Sequence, residues 1–261
     1  MTTGRFTRPG TSARPADHGW APCRFIRRST VSQPNAAVTI GPSYYRKGVR
    51  IDLAQELQDI DRKVTELFAL VGEGLAAATD ALLASDVDAA SSVVARERLI
   101  DSLYYDIEGL VQRQFAFAAP AATDMRYLLS MLRIVPELER SGDLVEHIAN
   151  RALRSLGVEL TPRIRGLVDR MGRVGVMLWR GAAESYATRD PDKVFELRNL
   201  DDELDDLHVA LIAEIVEAEL RLPVAIEMAL VARFFERLGD HAVNVANRMK
   251  YVATGEHGPT H

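Results

Sequence analysis

The sequence predicts an all-α protein: six helices forming two tandem three-helix bundles, behind a basic, disordered segment. Three observations carry this reading. Apolar residues recur at steps of three or four from residue 53 onward, the period of a helix with one buried face. Alternating β-branched runs of the kind that form strands are absent. A thirteen-residue segment of the third helix also returns 97 residues later, identical at seven positions.

The first helix is read from Leu53, Leu57, Ile60, Val64, Leu67, Val71, Leu75, Ala78 and Leu82, one stripe about eight turns long. Ser85-Asp86-Val87-Asp88 breaks it and offers caps for a second helix, from about Ala89 to Phe117 through Leu99, Leu103 and Leu110. Pro120 interrupts. Thr123 or Asp124 is expected to cap a third helix, ending near Leu156-Gly157. Pro162 opens a fourth, ended by Arg189-Asp190-Pro191. A fifth covers about 192–220, and Pro223 marks the entry to a sixth that ends at Gly255.

Composition bounds the rest. The 261 residues exceed one ordinary domain, and 47% are hydrophobic with only 7% aromatic. The single cysteine, Cys23, allows no internal disulfide or Cys-based zinc site and fits a reducing compartment. No window of about 20 residues is free of charge, so no membrane-spanning helix is expected. Residues 1–50 hold nine Arg/Lys against one acid, Asp17, a net of +8. The remainder holds 23 basic and 36 acidic residues, a net of −13, which disfavours nucleic-acid binding by the folded part. Residues 1–48 show neither helical nor strand period and are read as a disordered basic tail with no assigned function.

The repeat fixes the organisation. Residues 139–151, Glu-Arg-Ser-Gly-Asp-Leu-Val-Glu-His-Ile-Ala-Asn-Arg, match residues 236–248, Glu-Arg-Leu-Gly-Asp-His-Ala-Val-Asn-Val-Ala-Asn-Arg, at seven of thirteen positions. Each copy lies on the last helix of its set. The repeats are therefore placed at 51–157 and 158–256, each expected to enclose its own core. Gly142 and Gly239 fall mid-helix, where glycine costs about 1 kcal/mol against alanine, so a close backbone approach is expected at both.

Each repeat also presents two acidic pairs at i, i+4: Glu97/Asp101 with Glu139/Asp143, and Asp201/Asp205 with Glu236/Asp240. That spacing sets both carboxylates on one helix face about 5–6 Å apart at Cβ, where they repel. One reading is a metal site: oxygen-rich clusters suit magnesium, calcium, manganese or iron, with zinc as a further option. The other is neutralisation by Arg96, Arg98, Arg140 and Arg237 as surface ion pairs. His147, one turn beyond Asp143, could add a nitrogen ligand, although Asn244 takes its place in the second copy. His208 and His241 are read as structural.

These segments, together with Thr123-Asp124-Met125-Arg126-Tyr127-Leu128, resemble the PhoU family across residues 51–256. The resemblance implies a cytoplasmic, non-enzymatic regulator, often a homodimer. Its implied partners are the subunits of the phosphate ABC transporter and the phosphate-sensing histidine kinase, restrained when phosphate is plentiful. It would meet the membrane only through those partners. Multinuclear iron or zinc held by the four acidic pairs is implied as well. The tail 1–48 has no counterpart in the family pattern.

Two rivals are weighed. A ferritin-like di-iron oxidase needs Glu-x-x-His pairs, and none occurs; Asp205-x-x-His208 is the nearest. No P-loop and no Gly-x-Ser-x-Gly elbow is present to support phosphate-ester hydrolysis. A plain helical scaffold with no link to phosphate is the second rival.

Overall fold

The computed structural model describes residues 53–117 and 120–256. The expectation of a disordered tail at 1–48 lies outside the described residues. Those described are helical, with no strand among them: α1 Leu53–Ala84, α2 Val87–Val94, α3 Glu97–Phe117, α4 Ala122–Leu153, α5 Pro162–Thr188, α6 Lys193–Glu217 and α7 Leu222–Thr254. A short 3-10 turn, Leu156–Glu159, links α4 to α5.

The expected boundaries are mostly met for the expected reasons. Ser85 takes a left-handed conformation that ends α1, and the Asp86 carboxylate accepts from the backbone N–H of Asp88 (3.1 Å) and Ala89 (2.9 Å). Thr161 caps α5 at the Ile164 N–H with Pro162 beside it, and Gly255 closes α7 with φ 78°. The start of α4 differs. Ala121 stands at the cap position without a side-chain bond, and Thr123 and Asp124 fall inside the first turn.

The second expected helix is split into α2 and α3. Ser91 and Ser92 donate to the carbonyls of Val87 and Asp88 one turn back, a bond that bends helices, and Val93-Val94 follows with two crowded β-branched side chains. The Arg96 N–H then bonds to Val93 O, and helix resumes at Glu97. The split makes Glu97 a first-turn residue of α3.

The two three-helix sets do not keep separate cores. A single apolar cluster runs through both, from Ile60 and Leu67 on α1 through Leu138 on α4 to Trp179 on α5 and Phe235 on α7. α1, α4, α7 and α5 form a ring in which each packs on the next; α3 lies against α1 and α4, and α6 against α5 and α7. α4 and α7 run antiparallel, since Ser141 meets His241 while Arg151 meets Glu227. Gly157 in the linker lies against the Leu82 carbonyl, where a Cβ has no room, and Arg165 donates to Gly157 O (2.9 Å) and Leu83 O (2.6 Å).

α1 is the helix that bears on the expectation of no membrane-spanning segment. Its Ala54–Ala84 stretch is long and apolar enough, by length and composition, to cross a membrane. Half of its most apolar window is buried in the protein, where Val64, Leu67, Val71 and Leu75 pack in the core, as in a core helix.

Candidate functional site

Each repeat brings its four acidic residues to one seam between neighbouring helices. In the first, Glu97 and Asp101 project from α3 and Glu139 and Asp143 from α4; in the second, Asp201 and Asp205 project from α6 and Glu236 and Asp240 from α7. The local reason is the i, i+4 period on both helices, combined with the apolar stripes that fix their rotation. Ile100 and Leu103 face inward on α3, as Leu204 and Leu207 do on α6.

The charges act on one another across the seams. Glu146 raises the Glu97 pKa most, followed by burial, Asp101 and Asp143. Burial raises Glu139, with Asp143 and Asp101 adding to it. Burial likewise raises Asp143, and there His147 pulls the other way against Asp101 and Glu146. In the second seam burial, then Asp205 and Asp240, push the Asp201 carboxyl up to about 7. Burial and Asp240 raise Asp205 and Glu236 as well.

Among the described residues, the arginines expected to neutralise these groups form no ion pair with them, although Arg98 works against the rise at Glu97 and Arg140 against that at Glu139. Arg140 pairs with Glu137 (2.9 Å) and Arg96 with Glu73 (3.7 Å). Arg98 and Arg237 form no ion pair among the described residues. Among the described residues, Glu236 alone of the eight candidate carboxylates forms an ion pair, with Arg233 one turn before it on α7. Among the described residues, both seams are therefore left with like charges and little compensation.

The donor set, carboxylate oxygens without thiolate, suits a hard cation such as iron, manganese or magnesium better than zinc. Glu236 Oε2 is buried without a hydrogen-bond partner. Among the described residues, however, no three His, Cys, Asp or Glu side chains are arranged to hold a metal ion. The chemistry fits and the side-chain positions are not drawn to one point.

Gly142 and Gly239 stand where they do for a reason other than backbone approach. A Cβ on Gly142 would lie 2.8 Å from Ile100 Cδ1; one on Gly239 would meet Asp201 Oδ1 and, at 2.9 Å, Leu204 Cδ2. The second glycine thus leaves room for a candidate ligand. His147 is exposed and packs its ring 5.4 Å from Phe234. His208 acts electrostatically on Asp205 and Glu236. His241 is buried, with its Nδ1 2.9 Å from Ser141 Oγ. Burial, with Arg140 and Arg237 nearby, pushes it down to about 4.

One polar cluster escaped the sequence reading. Tyr186 donates to Asp61 Oδ1 (2.8 Å), Tyr127 and Tyr186 hydroxyls lie 2.9 Å apart, and the Arg189 guanidinium sits 5.1 Å over the Tyr127 ring. Burial drives both phenols above their ordinary range, with Asp61 adding to it at Tyr127, and Tyr127 and then Asp61 at Tyr186. The signal available was weak, since Asp61, Tyr127 and Tyr186, from three helices, share no sequence spacing with one another.

Comparison with known proteins bears on the two repeats. The PhoU domain model matches twice, at residues 64–152 and 168–249, once within each repeat. A Mycobacterium leprae protein named phosphate-specific transport system accessory protein PhoU homolog 1 is 33% identical over 204 residues, covering 77% of this chain and 92% of its own length. The Mycobacterium tuberculosis PhoU homolog 2 is 33% identical, covering 77% and 96%. The crystal structure of PhoU from Pseudomonas aeruginosa matches with a TM-score of 0.73 at 26% identity, over 78% of this chain and 99% of that one. The phosphate transport system regulatory protein PhoU from Streptococcus pneumoniae, at 23% identity and a TM-score of 0.72, shares the fold. Two matches of one domain model, falling on the two acidic seams of a single helical body, make this chain a member of the PhoU family.

Proposed function

We propose that the protein is a non-enzymatic cytoplasmic regulator of phosphate transport, restraining the phosphate ABC transporter and the phosphate-starvation response when phosphate is plentiful. The observation that carries this reading is the presence, in both family-matched spans, of four carboxylates gathered on one seam with a single ion pair among the described residues. The naming of the relatives as phosphate-specific transport system accessory proteins supplies the process. Its proposed partners are the transporter subunits and the phosphate-sensing histidine kinase, and its proposed assembly is a homodimer.

The residues proposed to hold metal are Glu97, Asp101, Glu139 and Asp143 in one seam and Asp201, Asp205, Glu236 and Asp240 in the other, with iron favoured over zinc by the donor set. A bound cation would supply positive charge that relieves the repulsion within each seam. The part of this chain's own residues is to set that charge between helices: α3 against α4, and α6 against α7. Filling a seam would then favour one spacing of those helices.

The test is made in cells lacking the native protein, complemented with wild type or with Asp143→Ala together with Asp240→Ala. Expression of a phosphate-starvation reporter is followed alongside iron and zinc content of protein purified without a metal-affinity tag. Derepression with loss of metal is expected. Derepression of a variant whose parent never held metal would remove the cofactor and leave the regulator. A reporter indifferent to deletion of the whole gene would overturn the function.

A further inference from the structure

The internal repeat supplies its own control for reading the surface, because each feature on α4 has a counterpart 97 residues on. Both third helices begin with an exposed apolar ridge: Met125, Leu129 and Leu132 on α4, and Leu222, Ile226 and Leu230 on α7, all at least 40% exposed. Met125 corresponds to Leu222 and Leu129 to Ile226. As α4 and α7 are antiparallel, the two ridges stand at opposite ends of one seam.

Their electrical surroundings differ. Beside the α7 ridge, Glu227 takes both Arg151 (3.0 Å) and Arg154 (2.6 Å), and Arg221 is held by Glu159. At the α4 end the counterpart of Glu227 is Ser130, a buried residue whose hydroxyl donates to the Arg126 carbonyl. The counterpart of Arg151 is Arg248, so this arginine has kept its place and lacks its acid. Arg133 stands across the seam from it, and Arg126 reaches Gly255 at the end of α7.

Among the described residues, Arg126, Arg133 and Arg248 form no ion pair. Asp124 and Glu256 form none either among the described residues, and Glu137, four residues beyond Arg133, is taken by Arg140 (2.9 Å). Arg248 is half-buried over the Tyr251 ring at 4.4 Å, and its Nε is enclosed without a hydrogen-bond partner. Loss of solvent and the neighbouring Arg133 both work against its charge. The helix dipole does not account for it, because Arg248 precedes the α7 terminus by more than a turn and the dipole's influence fades within the last turn.

We propose that the α4 end of this seam docks a partner's amphipathic segment that carries carboxylates. Its apolar face would cover Met125, Leu129 and Leu132, and its acids would meet Arg126, Arg133 and Arg248. Charge complementarity selects this occupant over a second copy of the chain. A two-fold contact of this patch with itself would set three arginines against three arginines. The repeat explains why only one end serves: the same ridge exists at the α7 end, where Glu227 and Glu159 have already neutralised the basic side chains.

The docking rests on the proposed role in phosphate regulation, which names the proteins to try. The purified ATPase subunit of the phosphate transporter and the purified cytoplasmic part of the phosphate-sensing kinase are the probes, each titrated against the full chain at low and high salt. Leu129→Ser with Arg133→Glu changes two exposed residues and spares the core. Ile226→Ser with Leu230→Glu, at the exposed counterparts of Leu129 and Arg133, is the matched change at the other end.

Wild type is expected to bind one of the probes, more weakly in high salt. The α4-end variant should lose about tenfold or more in affinity, and the α7-end variant less than about twofold. Equal binding by wild type and the α4-end variant, or equal loss at both ends, would overturn the docking and leave the regulatory role standing. A change of oligomeric state in the α4-end variant, seen by light scattering, would give the surface to a second copy and overturn the partner. Failure of wild type to bind either probe would overturn the docking and the choice of partners together.

Discussion

Ser141 Oγ on α4 lies 2.9 Å from His241 Nδ1 on α7, inside the core and between the two acidic seams. Ser141 also reaches the Glu137 carbonyl at 2.6 Å, and His241 Nε2 lies 3.6 Å from the Glu137 carboxylate. This chain of contacts runs from one repeat to the other with Asp240 and Asp143 close by in sequence. Ser141→Ala leaves a buried ring nitrogen without its partner, which costs about 1–3 kcal/mol. Urea denaturation of the metal-free protein should show that loss, and a change under about 0.3 kcal/mol would make the contact incidental.

Gly239→Ala tests whether the glycine serves Asp201. At an open helix position the change would gain about 1 kcal/mol. Here the new methyl meets Asp201 Oδ1 and Leu204, so a loss of about 1–3 kcal/mol is expected. Gly142→Ala should cost less, because its methyl meets one side chain, Ile100, where that of Gly239→Ala meets two. Equal effects at the two glycines would remove the special role of the second.

The pH dependence has a defined sign. Asp201, held up to about 7 in the folded chain, keeps a proton that the unfolded chain releases at the ordinary carboxylate range. Its contribution is complete below that range and is lost as pH rises through 7. His241, held down to about 4, contributes above its ordinary value and loses that contribution as pH falls towards 4. With chelator present, Asp201→Asn should therefore gain stability over wild type between about pH 5 and about pH 8, read by denaturant midpoints. A constant difference would mean that Asp201 is solvated like an ordinary aspartate.

The helices and the pairing of the carboxylates were legible in the sequence because both depend on spacing along one helix. Leu53 to Leu82 spell a face, and Glu139-x-x-x-Asp143 spells a pair. What spacing does not encode is the neighbour. The stripe of α1 looks the same whether it packs on its own repeat or, as found, also on α5, so the single core was missed. Ser91 and Ser92 read as ordinary polar helix residues until their hydroxyls are seen to bond one turn back. The ion pairs that Arg140 and Arg96 form were not legible for a related reason: Glu137 and Glu73 lie within reach as well, and reach is a property of three dimensions.

The shared core has a consequence for how the chain is divided. If each repeat were self-sufficient, cutting between Gly157 and Pro162 would yield two independent folders. Here the cut would strip α1 from α5 and α4 from α7, baring the inward faces of Phe68, Leu138, Trp179 and Phe235. Two separately encoded fragments, 50–158 and 160–256, should be insoluble alone and recover a cooperative melt when co-expressed, behaving as halves of an obligate heterodimer. A family built by doubling a three-helix unit would then have fused its subunits and kept the interface.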